Sequence, residues 1–468
     1  MNDFTPLARA AELARSFLDT LPARPVRESG SLADLRRALA LPLADAGVPP
    51  VQVIDELARA ADPGIVAMAG PRYFGFVIGG SLPVATAADW LTAAWDQNAG
   101  LYVDSPAAAI VEDVAAGWLL DLFGLPQTAS VGFVTGGQMA NFTCLAAARH
   151  AVLDRAGWDV EERGLQGAPT VNVVVGEEAH ATIFASLRFL GLGAATARRV
   201  ATDAQGRMRA DALREVLAKI SGPTIVCAQA GNVNTGAFDP LEEIASLARA
   251  RDAWLHVDGA FGLWAAASPA HRHLTTGVAA ADSWASDGHK WLNVPYDSGF
   301  AIVKDPAVHR AAMSIGAAYL VAGDAARRDA LDWVPELSRR ARGFPVYAAL
   351  RFLGRRGVAE LVERCCTLAR RMAERLAAAP GIAVLNDVVL NQVLVRFGDS
   401  DDVTRAVIER VQEDGTCWLA GTTWHGKGAM RVSVCNWSTT AGDIDRSADA
   451  ILAASRAESP RPRGRPGP

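Results

Sequence analysis

The chain is 468 residues long, 50% hydrophobic and 21% charged, a balance that suits a globular enzyme large enough for more than one domain. Its formal net charge of −5 provides no basic excess for nucleic acid and no charged interaction tail. The first twenty residues lack a basic segment followed by an apolar one, and no apolar run approaches the ~20 residues of a membrane span. A cytoplasmic location is therefore the default expectation.

Residues 5–20, 31–40 and 51–62 are rich in Ala, Leu and Arg at helical spacing and predict amphipathic helices. Turn chemistry follows at Gly70-Pro71 and from Gly79 to Pro83. A helix then starts at Asp104-Ser105-Pro106, with serine at the cap and proline at the first helical position, and stops at Gly124. Beyond it, short apolar strands near 131–134, 171–175, 224–228, 254–257, 282–286 and 299–303 alternate with helices near 138–155, 181–190, 208–219 and 239–251. That alternation predicts an α/β fold with a mostly parallel sheet covered on both faces.

Helices at 344–354 and 358–378 lead into a region with strands at 382–386, 392–397 and 429–435 and helices at 401–413 and 441–455. The expected division is a helical segment over 1–84, a large α/β domain over 85–335 and a small α+β domain over 336–456. The tail over 457–468 is too rich in Pro, Gly and Arg to fold. The six cysteines show neither metal nor disulfide spacing and read as small buried hydrophobes. His271 and His273 lack further ligands nearby, so no metal site is expected and the pair reads as surface.

Four motifs fall at strand ends, where ligands collect in open α/β sheets. Gly136-Gly137-Gln138 joins a strand to a helix and leaves backbone N–H groups at a positive helix end, either a phosphate cradle or an ordinary glycine turn. Glu177-Glu178-Ala179-His180 brings an imidazole to the end of the next strand, either to stack on a flat heteroaromatic ring or as an ordinary helix-start or loop residue. Asp258 follows the apolar strand WLHV, where its carboxylate is costly to bury unless a cation such as a pyridinium or several donors pair with it; capping a following helix is the competing role. The small pair Gly259-Ala260 leaves room for a ring against the backbone. His289-Lys290 ends a further apolar strand, an unusual place for a lysine, and burial makes an amine nucleophilic. Only Lys219, Lys290, Lys304 and Lys427 compete for such a role. A lysine for a Schiff base and a carboxylate for a ring nitrogen are the two partners that pyridoxal 5'-phosphate (PLP) needs.

These motifs occur in order with Tyr73-Phe74-Gly75, Ser105-Pro106, Glu112 and Gly236-Ala237-Phe238-Asp239. The set resembles the group II PLP-dependent amino-acid decarboxylases, which include aromatic-L-amino-acid, glutamate, histidine and diaminobutyrate decarboxylases, over about residues 70–450. The resemblance implies PLP-dependent transferase fold type I and a homodimer with active sites between subunits. It implies that Lys290 carries the cofactor, Asp258 pairs with the pyridine nitrogen and His180 stacks on the ring. Gly136, Gly137, Gln138 and His289 match positions around the phosphate, Ala260 lies against the ring, and Tyr73 lines the substrate side.

The implied reaction is decarboxylation of an L-amino acid to its amine and CO₂ through an external aldimine and a quinonoid. The sequence departs from the family in its Gly-Gly-Gln turn, where serines are common. It departs again in the loop before Trp333, Arg339 and Arg340, where the family carries a tyrosine and residues 324–333 contain none. Tyr319 lies earlier. Retro-aldol cleavage or oxidative deamination to an aldehyde is the alternative outcome. Arg431 is open either as a partner for a carboxylate or as an anchor of the small domain, and Arg72 is a further unranked candidate.

Overall fold

A computed structural model describes residues 4–315 and 328–458. Its large sheet has seven strands: β1 (Ser130–Val134), β2 (Asn172–Gly176), β3 (Arg198–Val200), β4 (Thr224–Gln229), β5 (Trp254–Asp258), β6 (Ser283–Asp287) and β7 (Gly299–Val303). They lie in the order β1-β7-β6-β5-β4-β2-β3. β7 runs antiparallel to both its neighbours, and every other pair is parallel. Parallel pairing requires crossovers, and the helices that provide them cover both faces. This is why β4 and β5 are buried at every position and read as continuous apolar runs rather than alternating ones.

The second sheet is wholly antiparallel: β8 (Ile382–Val384), β9 (Gln392–Phe397), β10 (Ala420–Trp424) and β11 (Lys427–Ser433), in the order β10-β11-β9-β8. The helical run Gly343–Ala377 leads into it. The two helices read from the sequence are joined there, with a break at Gly354, whose φ of 60° and ψ of 179° no helix accommodates.

Several elements lie outside the sequence reading, among them β3, β10 and the helices Pro83–Trp95, Val160–Arg163 and Pro306–Met313. β3 is a three-residue edge strand whose two arginines are exposed, so no apolar run marks it. β10 carries Gly421, Thr422 and Thr423 on a sheet edge, again without an apolar run. Helix Pro83–Trp95 begins at a proline whose local sequence signals only a turn. The helix from Pro106 is as expected, capped by Ser105 Oγ and ended by Gly124 at φ 64°. Helices Thr5–Thr20, Leu32–Leu39 and Pro50–Ala61 contain no buried residue and leave leucines exposed. Residues 457 and 458, assigned to the tail, instead complete the last helix, Ala441–Glu458. The remainder of the tail, Tyr319 and loop residues 324–327 lie outside the described residues.

His271 is a correction. It is buried rather than superficial, and its Nδ1 lies 3.1 Å from Ser268 Oγ, which also donates to Glu363. Among the described residues no helix is long and apolar enough to cross a membrane.

Candidate active site

The carboxyl ends of β1, β2, β4, β5 and β6 meet around a cavity of about 380 Å³. Gly136, Gly137, Gln138, His180, Asp258, Ala260, His289 and Lys290 all line it. Residues as far apart in the chain as Gly136 and Lys290 thus converge because parallel strands all end on one rim.

Lys290 sits in a turn that distant segments hold rigid. A Cβ on Gly79 would fall 1.9 Å from the Lys290 carbonyl oxygen, and one on Gly288 would fall 2.4 Å from Ser298 Oγ, so both glycines are required by close approach. Asn293, at φ 54°, accepts from the backbone N–H groups of Gly80 and Trp437 through Oδ1 and donates to the Cys435 carbonyl through Nδ2. The Lys290 Nζ lies 2.7 Å from Asp287 Oδ2. The other Asp287 oxygen accepts from Gly137 N–H at 2.5 Å and lies 3.4 Å from His289 Nε2. His289 Nδ1 accepts from Ser298 N–H, which leaves the ring proton on Nε2. Burial lowers the pKa of this imidazole and keeps it neutral. Its ring stacks on Tyr296 at 4.3 Å.

Asp258 is held by a network in which every proton has an assigned direction. Trp254 Nε1 donates to Ser283 Oγ, whose hydroxyl faces His256 Nδ1 at 3.0 Å. His256 Nε2 then donates to Asn141 Oδ1 at 2.9 Å. The two Asn141 amide hydrogens go to Asp258 Oδ2 and Thr182 Oγ1, each at 3.1 Å. Thr182 Oγ1 in turn donates to His180 Nδ1 at 2.9 Å, which leaves the His180 proton on Nε2. His256 supports this order because burial pushes its pKa down to about 4 and keeps it neutral. Burial also lowers the His180 pKa, against the pull of the Asp258 charge. The second Asp258 oxygen accepts from Ala260 N–H. A buried carboxylate with two neutral donors and no cationic partner among the described residues is ready for a protonated ring nitrogen.

The Gly136-Gly137 turn fits a phosphate in shape. A Cβ on Gly136 would meet His289 Cε1 at 2.8 Å, and one on Gly137 would meet Asp287 Oδ2 at 2.7 Å. Asp287 already takes the Gly137 N–H, so the Gln138 and Met139 N–H groups remain at this helix start for an anion.

Three candidates stand outside the cavity lining, Arg431 among them. Tyr73 is buried outside the cavity lining, its ring stacked on Trp418 at 5.0 Å and 1°, and burial pushes its pKa up to about 12. Arg72 is structural: its guanidinium donates to the carbonyls of Thr416, Pro22 and Arg24 and approaches Asp443. Sequence reasoning missed Asn141, Thr182 and Asp287. Asn141 lies one turn beyond Gly137, and Asp287 three residues before Lys290, spacings that place each on the side of its partner.

A lysine and an acid on the rim of a mostly parallel sheet, with a histidine between them and a helix start for an anion, define a PLP enzyme of fold type I. Residues 34–397 match the model of the pyridoxal-dependent decarboxylase conserved domain, and the chain belongs to that family. It is thus a PLP-dependent carboxy-lyase acting in amino-acid metabolism. It is 26% identical over 453 residues to the aromatic-L-amino-acid decarboxylase of Bacillus atrophaeus, covering 93% of this chain and 92% of that one. It is 31% identical over 380 residues to the L-2,4-diaminobutyrate decarboxylase of Rhizobium meliloti (strain 1021), covering 78% and 74%. The crystal structure of Oryza sativa TDC with PLP and tryptamine shares the fold, with a TM-score of 0.90, 24% identity and 97% of each chain covered.

Proposed function

We propose that the chain decarboxylates a free L-amino acid, with Lys290 joined to the cofactor, Asp258 on the ring nitrogen and Arg431 on the substrate carboxylate. The observation that carries this reading is the meeting of Lys290, Asp258 and His180 around one cavity. When bound, PLP supplies an electron sink for the pair left behind as a bond to the substrate's α-carbon breaks.

The chain's own groups do the rest. Asp258 keeps the ring nitrogen charged, and Asn141 and Ala260 hold the carboxylate in place for it. His180 would lie against the ring and, when it carries a second proton, would return it to the substrate, with Lys290 as the other donor. His289, Gly136, Gly137 and Gln138 surround the phosphate, and Ala260 leaves space for the ring.

Arg431, on β11, is 9% exposed and forms no ion pair among the described residues. Its Nη1 has one long contact, 3.5 Å to Asn234 Oδ1, and its Nε has no acceptor. A buried guanidinium without a counter-ion is costly, and a substrate carboxylate would remove that cost. We assign Tyr73 to the wall of the substrate entrance, beside Trp418.

The large part over residues 85–335 would hold the cofactor, and the small part over 336–456 would bring Arg431 to it. The exposed Trp90, Leu91, Trp95, Val103 and Ile110 suit a homodimer with sites at the interface. Six buried, unpaired cysteines accord with a cytoplasmic setting.

One observation favours a second outcome. The 4-hydroxyphenylacetaldehyde synthase of Rhodiola rosea is 25% identical over 445 residues, and residues 324–333 here contain no tyrosine. Dioxygen would then take up the electron pair in place of a proton and, with water, give an aldehyde, ammonia and hydrogen peroxide together with CO₂. Borohydride reduction of the holoenzyme, peptide mapping and product analysis with aromatic, acidic and basic amino acids test both readings. The pyridoxyl label should sit on Lys290 and vanish in Lys290→Ala, and amine with CO₂ should form. A label on another lysine would overturn the assignment, and aldehyde with CO₂ would establish the second outcome.

A further inference from the structure

We propose that Glu178 is a positioning residue that clamps the β10–β11 hairpin onto the loop presenting His180, and so sets where Arg431 meets the substrate. The inference rests on the assignment of Arg431 to the substrate carboxylate.

Glu178 follows β2 and stands two residues before His180. Its side chain gathers three donors. Oε2 accepts from Asn232 Nδ2 at 3.1 Å and from Trp424 Nε1 at 3.0 Å, and Oε1 lies 2.9 Å from His425 Nε2. Trp424 and His425 form the tip of the hairpin, with His425 at φ 47° and its ring stacked on Trp424 at 4.0 Å. Space for the cluster comes from Gly206, where a Cβ would fall 2.5 Å from Glu178 Oε2 and 2.7 Å from Asn232 Nδ2. One carboxylate therefore ties a loop of the large sheet to the turn of the small one.

Arg431 depends on that tie. It lies on the same hairpin, opposite Ala420, and no acidic side chain among the described residues fixes its guanidinium. A second contact holds the same edge: Thr422 Oγ1 donates to Asn234 Oδ1 at 3.1 Å, the oxygen that Arg431 Nη1 approaches at 3.5 Å. The hairpin is thus moored at its tip by Glu178 and partway along by Asn234, with Arg431 beside the second mooring. Trp424 is buried, and its indole N–H would have no acceptor without Glu178. Releasing the tip lets the hairpin shift, and a charged pair loses strength quickly with misalignment.

The test compares two stable probes on the full-length chain freed of cofactor: phosphopyridoxyl-L-alanine and phosphopyridoxyl-ethylamine, which differ only in the carboxylate. Wild type should prefer the alanine adduct. Glu178→Ala and His425→Asn should each cut that preference by about tenfold, the size of one or two lost hydrogen bonds, while the ethylamine adduct binds as before. Glu178→Gln keeps one accepting oxygen and should fall between. His425→Asn tolerates the positive φ and lies at an exposed turn, so it remains informative if Glu178→Ala does not fold.

An unchanged preference in Glu178→Gln and His425→Asn, alongside its loss in Arg431→Gln, would overturn the clamp. Equal weakening of both adducts would also overturn it, because that is what a general structural defect produces. If Arg431→Gln itself leaves the preference unchanged, the carboxylate assignment fails and the clamp with it.

Discussion

At the scale of single residues, the chemistry depends on how protons are distributed through the chain of groups from Trp254 to His180. Each neutral partner in it has one available direction, so the tautomers of both His256 and His180 follow from the hydrogen bonds alone. His256 also leaves a measurable signature. Its folded pKa of about 4 lies below the ordinary value of 6.5, so the unfolded chain binds the proton first as pH falls. The stability it contributes is present above pH 6.5 and is lost as pH drops towards 4, by up to about 3 kcal/mol. Asp239, pushed up to about 6 by burial, acts with the opposite sign but equally in wild type and variant. Urea unfolding of His256→Gln, which keeps a donor for Asn141, should therefore show a shallower decline than wild type across that window. Parallel curves would show that His256 is not buried neutral.

Single elements supply the rigidity that these residues need. The glycines before helix Gly137–Asp154 admit His289 and Asp287 against its first turn, and the Gly79-Gly80 segment lies against the turn bearing Lys290. Neither glycine of the second pair has a positive φ, so close approach rather than backbone freedom explains them. Gly79→Ala would drive a methyl group into the Lys290 carbonyl. The expected cost is about 2 kcal/mol or more, with a lower rate of imine formation measured by cofactor absorbance. Wild-type stability together with wild-type absorbance would show that the segment yields.

For the whole molecule, helix Pro83–Trp95 carries exposed Trp90, Leu91 and Trp95, an apolar surface that a monomer would leave in water. Sedimentation should give a dimer, and Leu91→Glu with Val103→Glu should give a folded monomer with little activity. A fully active monomer would remove the shared-site reading.

Much of this was legible in the residues themselves. Lys290, Asp258 and His180 stood out because a charged or titratable side chain at the end of an apolar strand is costly without a partner. The parallel strands were visible for a related reason, since burial on both faces leaves unbroken apolar runs. Edge elements such as β3 and β10 carry no such signal, because half of each faces solvent. Asn141, Asp287 and Arg431 stand out only in the fold. Each is an ordinary polar residue locally, and its meaning comes from partners that lie far away in the chain: Asn141 from Asp258, Asp287 from Gly137, and Arg431 from the missing counter-ion around it. Local physics marks what is expensive to bury, while the tertiary structure decides what shares the burial.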